Sequence, residues 1–228
     1  LHLVRKLQQV RALVVPVKSF RRAKVRLSAV LTDDAREQLA RDMAASVIAA
    51  SDGVPVFVVC DDGTVADFAI GEGAFVLWTP RLGLSGAVNA GIDHLRLRGF
   101  TLAVVAHADL PFAQSLGAFG EDEVITLAPD RHRDGTNVAA IPTSLGYRFA
   151  YGPASFDRHV KEADRFSVPL RVVDDWRLAT DIDTPEDLGV MFDLVAGSLE
   201  DLRFDLPTRK DVDASTQAVD DQRASKQK

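Results

Sequence analysis

Apolar positions along the chain fall into short β-rich runs separated by stretches with helical spacing. ALVVPV (12–17), VPVFVVC (54–60), AFVLW (74–78), TLAVVAHADLP (101–111), DEVITLAP (122–129) and VAAIP (138–142) read as six strands. PLRVVDD (169–175) and RLATDID (177–183) read as two more. The stretch from Thr32 to Ala50 repeats apolar residues at Leu39, Met43, Val47 and Ile48, with acids in its first turn, and so predicts a helix. Helices are also expected over 85–99, closed by Gly99, over PFAQSLGAF (111–119), over 155–166 and over 185–202, with a short one within 61–73. Strands alternating with helices predict an α/β fold, a mostly parallel sheet covered by helices. Residues 1–206 form one domain on this reading, and 207–228, with no aromatics and few apolar anchors, a disordered tail.

The chain has 228 residues, 46% of them hydrophobic, enough for a full core. Its net charge of −6 argues against general affinity for nucleic acid, so any polyanion must meet a local basic patch. The single cysteine, Cys60, lies in an apolar run and excludes a disulfide framework or a Cys-based zinc site. No apolar run is long enough to span a membrane, and the N-terminal stretch lacks a signal cleavage site, so a cytoplasmic location is expected.

In an open parallel sheet, ligands bind beyond the carboxyl ends of the strands, and three segments there carry chemistry. KSFRRAKVR places Lys18, Arg21, Arg22, Lys24 and Arg26 after the first strand. Such a run suits a polyphosphate through charge and bidentate hydrogen bonds, or serves merely as a solvated loop; it is not a P-loop. HADLP ends the fourth strand with Asp109, a Mg²⁺ ligand by chemistry or a cap for a helix starting at Pro111. RLATDIDTPEDL sets Asp181 and Asp183 on one face of an extended segment, with Ile182 on the other. Two such carboxylates repel unless a proton or cation lies between them. Thr184, Pro185 and Asp187 then form an N-cap, a first helical position and a capping box that anchor the acids.

Two further turns, DGTN (134–137) and GPASFDRH (152–159), offer donors to an anion through Gly135, Thr136, Asn137, Gly152 and Ser155, or are plain turns and caps. His107 and His159 show no metal-ligand spacing, and no nucleophile motif is present.

Taken in order, VPVKSF, AKVRL, ADLP, DGTN, GPASFDRH and DIDTPEDL resemble the guanylyltransferases of coenzyme F420 biosynthesis, over residues 12 to about 190. That family joins GTP to 2-phospho-L-lactate or phosphoenolpyruvate, in some members 3-phospho-D-glycerate. The resemblance implies a single-domain nucleotidyltransferase with a glycosyltransferase-A-like variant of the Rossmann architecture and a mostly parallel mixed sheet. It implies that Asp109, Asp181 and Asp183 hold Mg²⁺ and are catalytic together with Lys24, that Lys18, Lys24 and Arg26 serve the nucleotide phosphates, and that Ser85 also lies in the nucleotide-binding set. It further implies that Thr136, Gly152 and Ser155 hold the phospho-acid, that a downstream transferase takes the product, and that a homodimer is compatible. Two positions depart from the family pattern: Asp134 replaces a glycine before GTN, and Ser85 replaces a base-binding asparagine, for which Asn89 is a candidate substitute. The competing readings are a nucleotidyltransferase for a molybdopterin or sugar phosphate, a nucleotide-sugar glycosyltransferase, and a noncatalytic nucleotide-binding module.

Overall fold

The computed structural model describes residues 10–196, with side chains to 192. The tail expected from Pro207, and the helix expected beyond 196, lie outside the described residues. Seven strands, β1 (Arg11–Pro16), β2 (Val56–Cys60), β3 (Phe75–Trp78), β4 (Leu102–Ala106), β5 (Ile125–Pro129), β6 (Thr136–Pro142) and β7 (Leu170–Val172), form one mixed sheet. Their order is β3-β2-β1-β4-β6-β5-β7. β6 runs antiparallel to β4 and β5, and the other pairings are parallel.

Among the described residues the α-helices are α1 (Asp33–Ala49), α2 (Gly63–Gly71), α3 (Gly83–Leu97), α4 (Ser155–Ala163), α5 (Trp176–Ala179) and α6 (Pro185–Ala196). The continuous apolar runs of the central strands feed two cores, because successive side chains point to opposite faces. Leu13, Val15, Val58 and Val104 pack with Ala44, Val47 and Val65 under α1 and α2. Val14, Val59 and Val105 pack with Val88, Ile92 and Phe156 under α3 and α4. Gly91 lets α3 approach the sheet closely: a Cβ there would lie 3.0 Å from Val59 and 3.2 Å from Val14.

Two expected elements are absent. PFAQSLGAF is not a helix; only Leu116–Ala118 makes a 3-10 turn, and Leu110 and Leu116 are buried one by one in the core that holds Leu13 and Leu102 rather than on a helical face. No helix follows Pro111, so Asp109 caps none. RLATDID is not a strand either. Asp175 accepts the Arg177 N–H at 2.9 Å and starts the short α5, after which Thr180 to Asp183 run without a ladder partner. Ile182 is nevertheless fully buried against Leu27, Met43, Leu188 and Met191, which keeps the acids on either side of it out of that core.

Candidate active site

The strand order reverses about β1, with β2 on one side and β4 on the other, and such a reversal opens a crevice at the carboxyl ends. The chain leaves β1 through Val17 and Lys18 into two 3-10 turns, Phe20–Arg22 and Val25–Ala29, with Lys24 between them in a left-handed conformation, φ 54°. A side-chain-bearing residue adopts that conformation at some cost. It is held from α1, where Arg36 donates to the Ala23 carbonyl at 2.7 Å, and it turns the Lys24 side chain inward.

There the Lys24 ammonium donates to Asp109 Oδ2 at 2.6 Å and to Asp183 Oδ1 at 2.9 Å, with its side chain only 7% exposed. Burial alone acts to lower the Lys24 pKa, but the two carboxylates outweigh it and hold it above the usual lysine range. Asp109 is the mirror case: burial raises it, while Lys24 and His107 outweigh that and hold it low. The residues predicted from opposite ends of the chain therefore meet: the fourth-strand acid, the post-helix acid and one cation of the basic run.

Asp181 stands just behind them. The Ile182 N–H donates to the Asp109 carbonyl at 3.3 Å, tying the two acidic segments together. Asn137 donates to the Leu178 carbonyl at 3.0 Å and to Asp181 Oδ1 at 3.4 Å. Burial, with the Asp109 charge, pushes the Asp181 carboxyl up to about 6. Asp187 fixes the far side, accepting the N–H groups of Asp183 at 2.8 Å and Thr184 at 2.7 Å and pairing with Arg131. The capping box expected at Thr184 and Asp187 is thus formed, with Asp in the place where Glu or Gln is common.

The fit of a divalent cation is decided by this donor set. Asp109 Oδ1 is buried without a hydrogen-bond partner, and among the described residues no cation forms an ion pair with Asp181. Among the described residues no three acidic or imidazole groups close around one point, and the Lys24 ammonium takes the place between Asp109 and Asp183. Hard carboxylate oxygens with an orphaned buried acceptor suit Mg²⁺ or a similar ion.

A cavity of about 380 Å³ opens over this centre, lined by Lys18, Lys24, His107, Asp109 and Asp183 among others. Arg26 lies at its rim, 75% exposed, with its guanidinium 3.8 Å from Asp183. Thr136, Gly152 and Ser155 do not line it. They form a second cluster: the Asp134 carbonyl accepts the Phe156 N–H at 3.0 Å and its carboxylate the Ala154 N–H at 2.9 Å, tying the DGTN turn to the start of α4. Asp134, the departure from the family pattern, therefore caps this helix. Gly152 has φ 120°, a conformation open to glycine, and Ser155 is buried in the first turn.

Within this cluster His159 accepts the Ala150 N–H at Nε2, 3.0 Å, so Nδ1 carries the proton and donates to Thr136 Oγ1 at 2.9 Å. Burial holds this imidazole down to about 4. Tyr151 links the clusters, its ring 5.0 Å from both His107 and His159. Ser85 accepts the Tyr151 N–H at 2.9 Å, and Asn89 exchanges both amide bonds with the Phe149 backbone, at 3.1 and 2.9 Å. Asn89 is thus engaged with that backbone, and Ser85 braces the Tyr151 loop. His107, Asn137 and His159 carry roles that the linear spacing of the sequence does not signal; only His107 and Asn137 betray themselves, by lying beside Asp109 and in the DGTN turn.

The family model for CofC-like guanylyl transferases matches residues 11–203. A phosphoenolpyruvate guanylyltransferase of Sphaerobacter thermophilus is 36% identical over 184 residues, 77% of this chain and 89% of its own length. A 2-phospho-L-lactate guanylyltransferase of Halorubrum lacusprofundi is 38% identical over 77% of this chain and 81% of its own. Among solved structures, a nucleotidyl transferase from Methanothermobacter superposes with a TM-score of 0.60 at 14% identity, over 84% of this chain and all of its own, a likeness of fold.

Proposed function

Because the chain belongs to the CofC-like guanylyl transferase family, we propose that it joins GTP to a three-carbon phospho-acid, phosphoenolpyruvate or 2-phospho-L-lactate, with 3-phospho-D-glycerate a third acceptor to be compared. The observation that carries the reading is the Lys24 ammonium held between Asp109 and Asp183 at the reversal of strand order. In the reaction a phosphate oxygen of the phospho-acid attacks the α-phosphorus of GTP in line. The new bond is a P–O–P linkage, the bond from the α-phosphorus to its bridging oxygen breaks, and pyrophosphate leaves with that electron pair. The acceptor phosphate is already ionised, so no general base is needed and catalysis reduces to positioning and charge neutralisation.

Asp109, Asp181 and Asp183 would hold Mg²⁺, which when bound supplies positive charge to the phosphates. Lys24 contributes a fixed ammonium beside them, and Lys18 and Arg26 bring further cations to the departing pyrophosphate. Thr136, Gly152 and Ser155 hold the phospho-acid next to α4 on this reading. The reactive phosphoanhydride product calls for a downstream transferase, and the use of GTP suits the cytoplasm. No helix among the described residues is long and apolar enough to cross a membrane.

The test offers GTP and Mg²⁺ with phosphoenolpyruvate, 2-phospholactate and 3-phosphoglycerate separately, following pyrophosphate and the product mass. One acceptor is expected to give pyrophosphate and a guanosine diphosphate adduct in equal amounts. Pyrophosphate from none of the three would remove the proposal.

A further inference from the structure

A second cavity, of about 220 Å³, lies beyond the ends of β1, β2 and β3 and shares Pro16, Val17, Lys18 and Leu84 with the cavity over Lys24. The shared wall makes the two halves of one cleft. The half over Lys24 holds the acids and the buried ammonium, so a triphosphate placed there extends its nucleoside past Lys18 into the second half. Val17, Leu84 and Ala87 give that half apolar walls for a flat ring, and Gly83, at the start of α3, has φ 64° and open space at its Cβ position.

The polar groups of this half are unequal. Thr79 is spent on the Cys60 carbonyl. Lys18 and Arg22 offer donors only. Asp61, the residue directly after β2, is exposed, lines the cavity as its sole carboxylate and enters no ion pair among the described residues. Its neighbour Asp62 is occupied, accepting the Thr64 and Val65 N–H groups at the start of α2. Ser85 and Asn89, the two side chains at the family's base-reading position, are both engaged with the 149–151 backbone and do not line the cavity.

We infer that Asp61 is the guanine-reading residue of this enzyme, its carboxylate in the β1–β2–β3 half of the cleft accepting the N1–H and exocyclic N2–H of the base. Guanine alone among the common bases presents two adjacent donors on that edge, matching the two oxygens of one carboxylate. Its neighbouring O6 accepts, as Arg22 requires. Adenine inverts both groups, setting a lone pair toward Asp61 and an amine toward Arg22. Such a mismatch leaves charged groups without partners, the kind of discrimination that a hydrogen-bonding site achieves best.

The inference rests on the guanylyltransferase reading, and its experiment separates the two. Calorimetric titration with Mg²⁺ compares GTP, ATP and xanthosine triphosphate, which carries a carbonyl where guanine has the N2 amine, against wild type and Asp61→Asn. The amide of Asp61→Asn accepts from N1–H and donates to the xanthine carbonyl. Wild type is expected to prefer GTP. Asp61→Asn should lose about tenfold to a hundredfold in GTP affinity while gaining xanthosine triphosphate affinity, a reversal that general damage to the fold would not produce. Asp61→Ala should lose GTP affinity without the gain. An Asp61→Asn protein with the wild-type order and strength of nucleotide binding overturns the inference, even where wild type releases pyrophosphate from GTP. Absence of that pyrophosphate with every acceptor overturns the function itself.

Discussion

Lys24 separates two carboxylates that would otherwise repel, and its own charge is stabilised chiefly by them. Removing it by Lys24→Met leaves Asp109 unpaired and Asp183 with only the exposed Arg26, a loss discounted by the half-exposed Asp183, so destabilisation of about 2 kcal/mol is expected at neutral pH. Thermal unfolding with and without Mg²⁺ checks this: the variant should unfold earlier than wild type and recover more on adding the ion. Equal melting temperatures without the ion would show the pairing to be idle. His159 makes a different prediction. Its folded value is about 4 against an ordinary 6.5, so between those values the unfolded chain binds more protons. The stabilisation it gives is present above about pH 6.5 and is lost as pH falls toward 4, by at most about 3 kcal/mol. Urea unfolding at pH 7 and pH 4.5 should show the gap between wild type and His159→Gln closing on acidification. A gap that stays constant would mean that the buried ring does not titrate between folded and unfolded states.

Among the elements, α6 depends on its first turn. Asp187 accepts two backbone N–H groups and meets Arg131 while itself buried, so Asp187→Ala strands all three partners. About 2 kcal/mol of stability should be lost, with turnover falling further because Asp183 sits on the freed backbone. Denaturant curves together with pyrophosphate release check it, and wild-type activity in a destabilised variant would detach α6 from the site. This cap was legible in the sequence because Thr184, Pro185 and Asp187 carry a local signal. The apparent strand 177–183 was not read correctly, since alternation of Ile182 with two acids signals extended backbone and not a ladder. The pairing partner of such a segment is set by distant residues, here the Asp109 carbonyl and Asn137. PFAQSLGAF misled for the opposite reason, because apolar residues buried singly along an irregular path imitate helical spacing. The basic run suggested phosphate binding, but nothing local marked Lys24 as its buried member. That choice follows from the left-handed turn and from Arg36 gripping Ala23, both products of the tertiary fold.

Across the whole molecule, the sheet supplies the geometry. Strand reversal about β1 opens a cleft whose two halves share Lys18, one with Asp109 and Asp183 and one with Asp61. The alternation of strands and helices made the α/β class legible, whereas the identity of the antiparallel strand, β6 between β4 and β5, was not, because sheet order depends on contacts far apart in sequence. The most direct measurement is the rate of pyrophosphate release from GTP, with the preferred phospho-acid and Mg²⁺, by wild type, Asp109→Asn and Asp183→Asn at equal concentration. Each variant keeps the shape of its side chain and removes its charge, so turnover about a hundredfold or more below wild type is predicted, with unfolding little changed for Asp183→Asn. Release at the wild-type rate by either folded variant would contradict the assignment of this centre to nucleotidyl transfer.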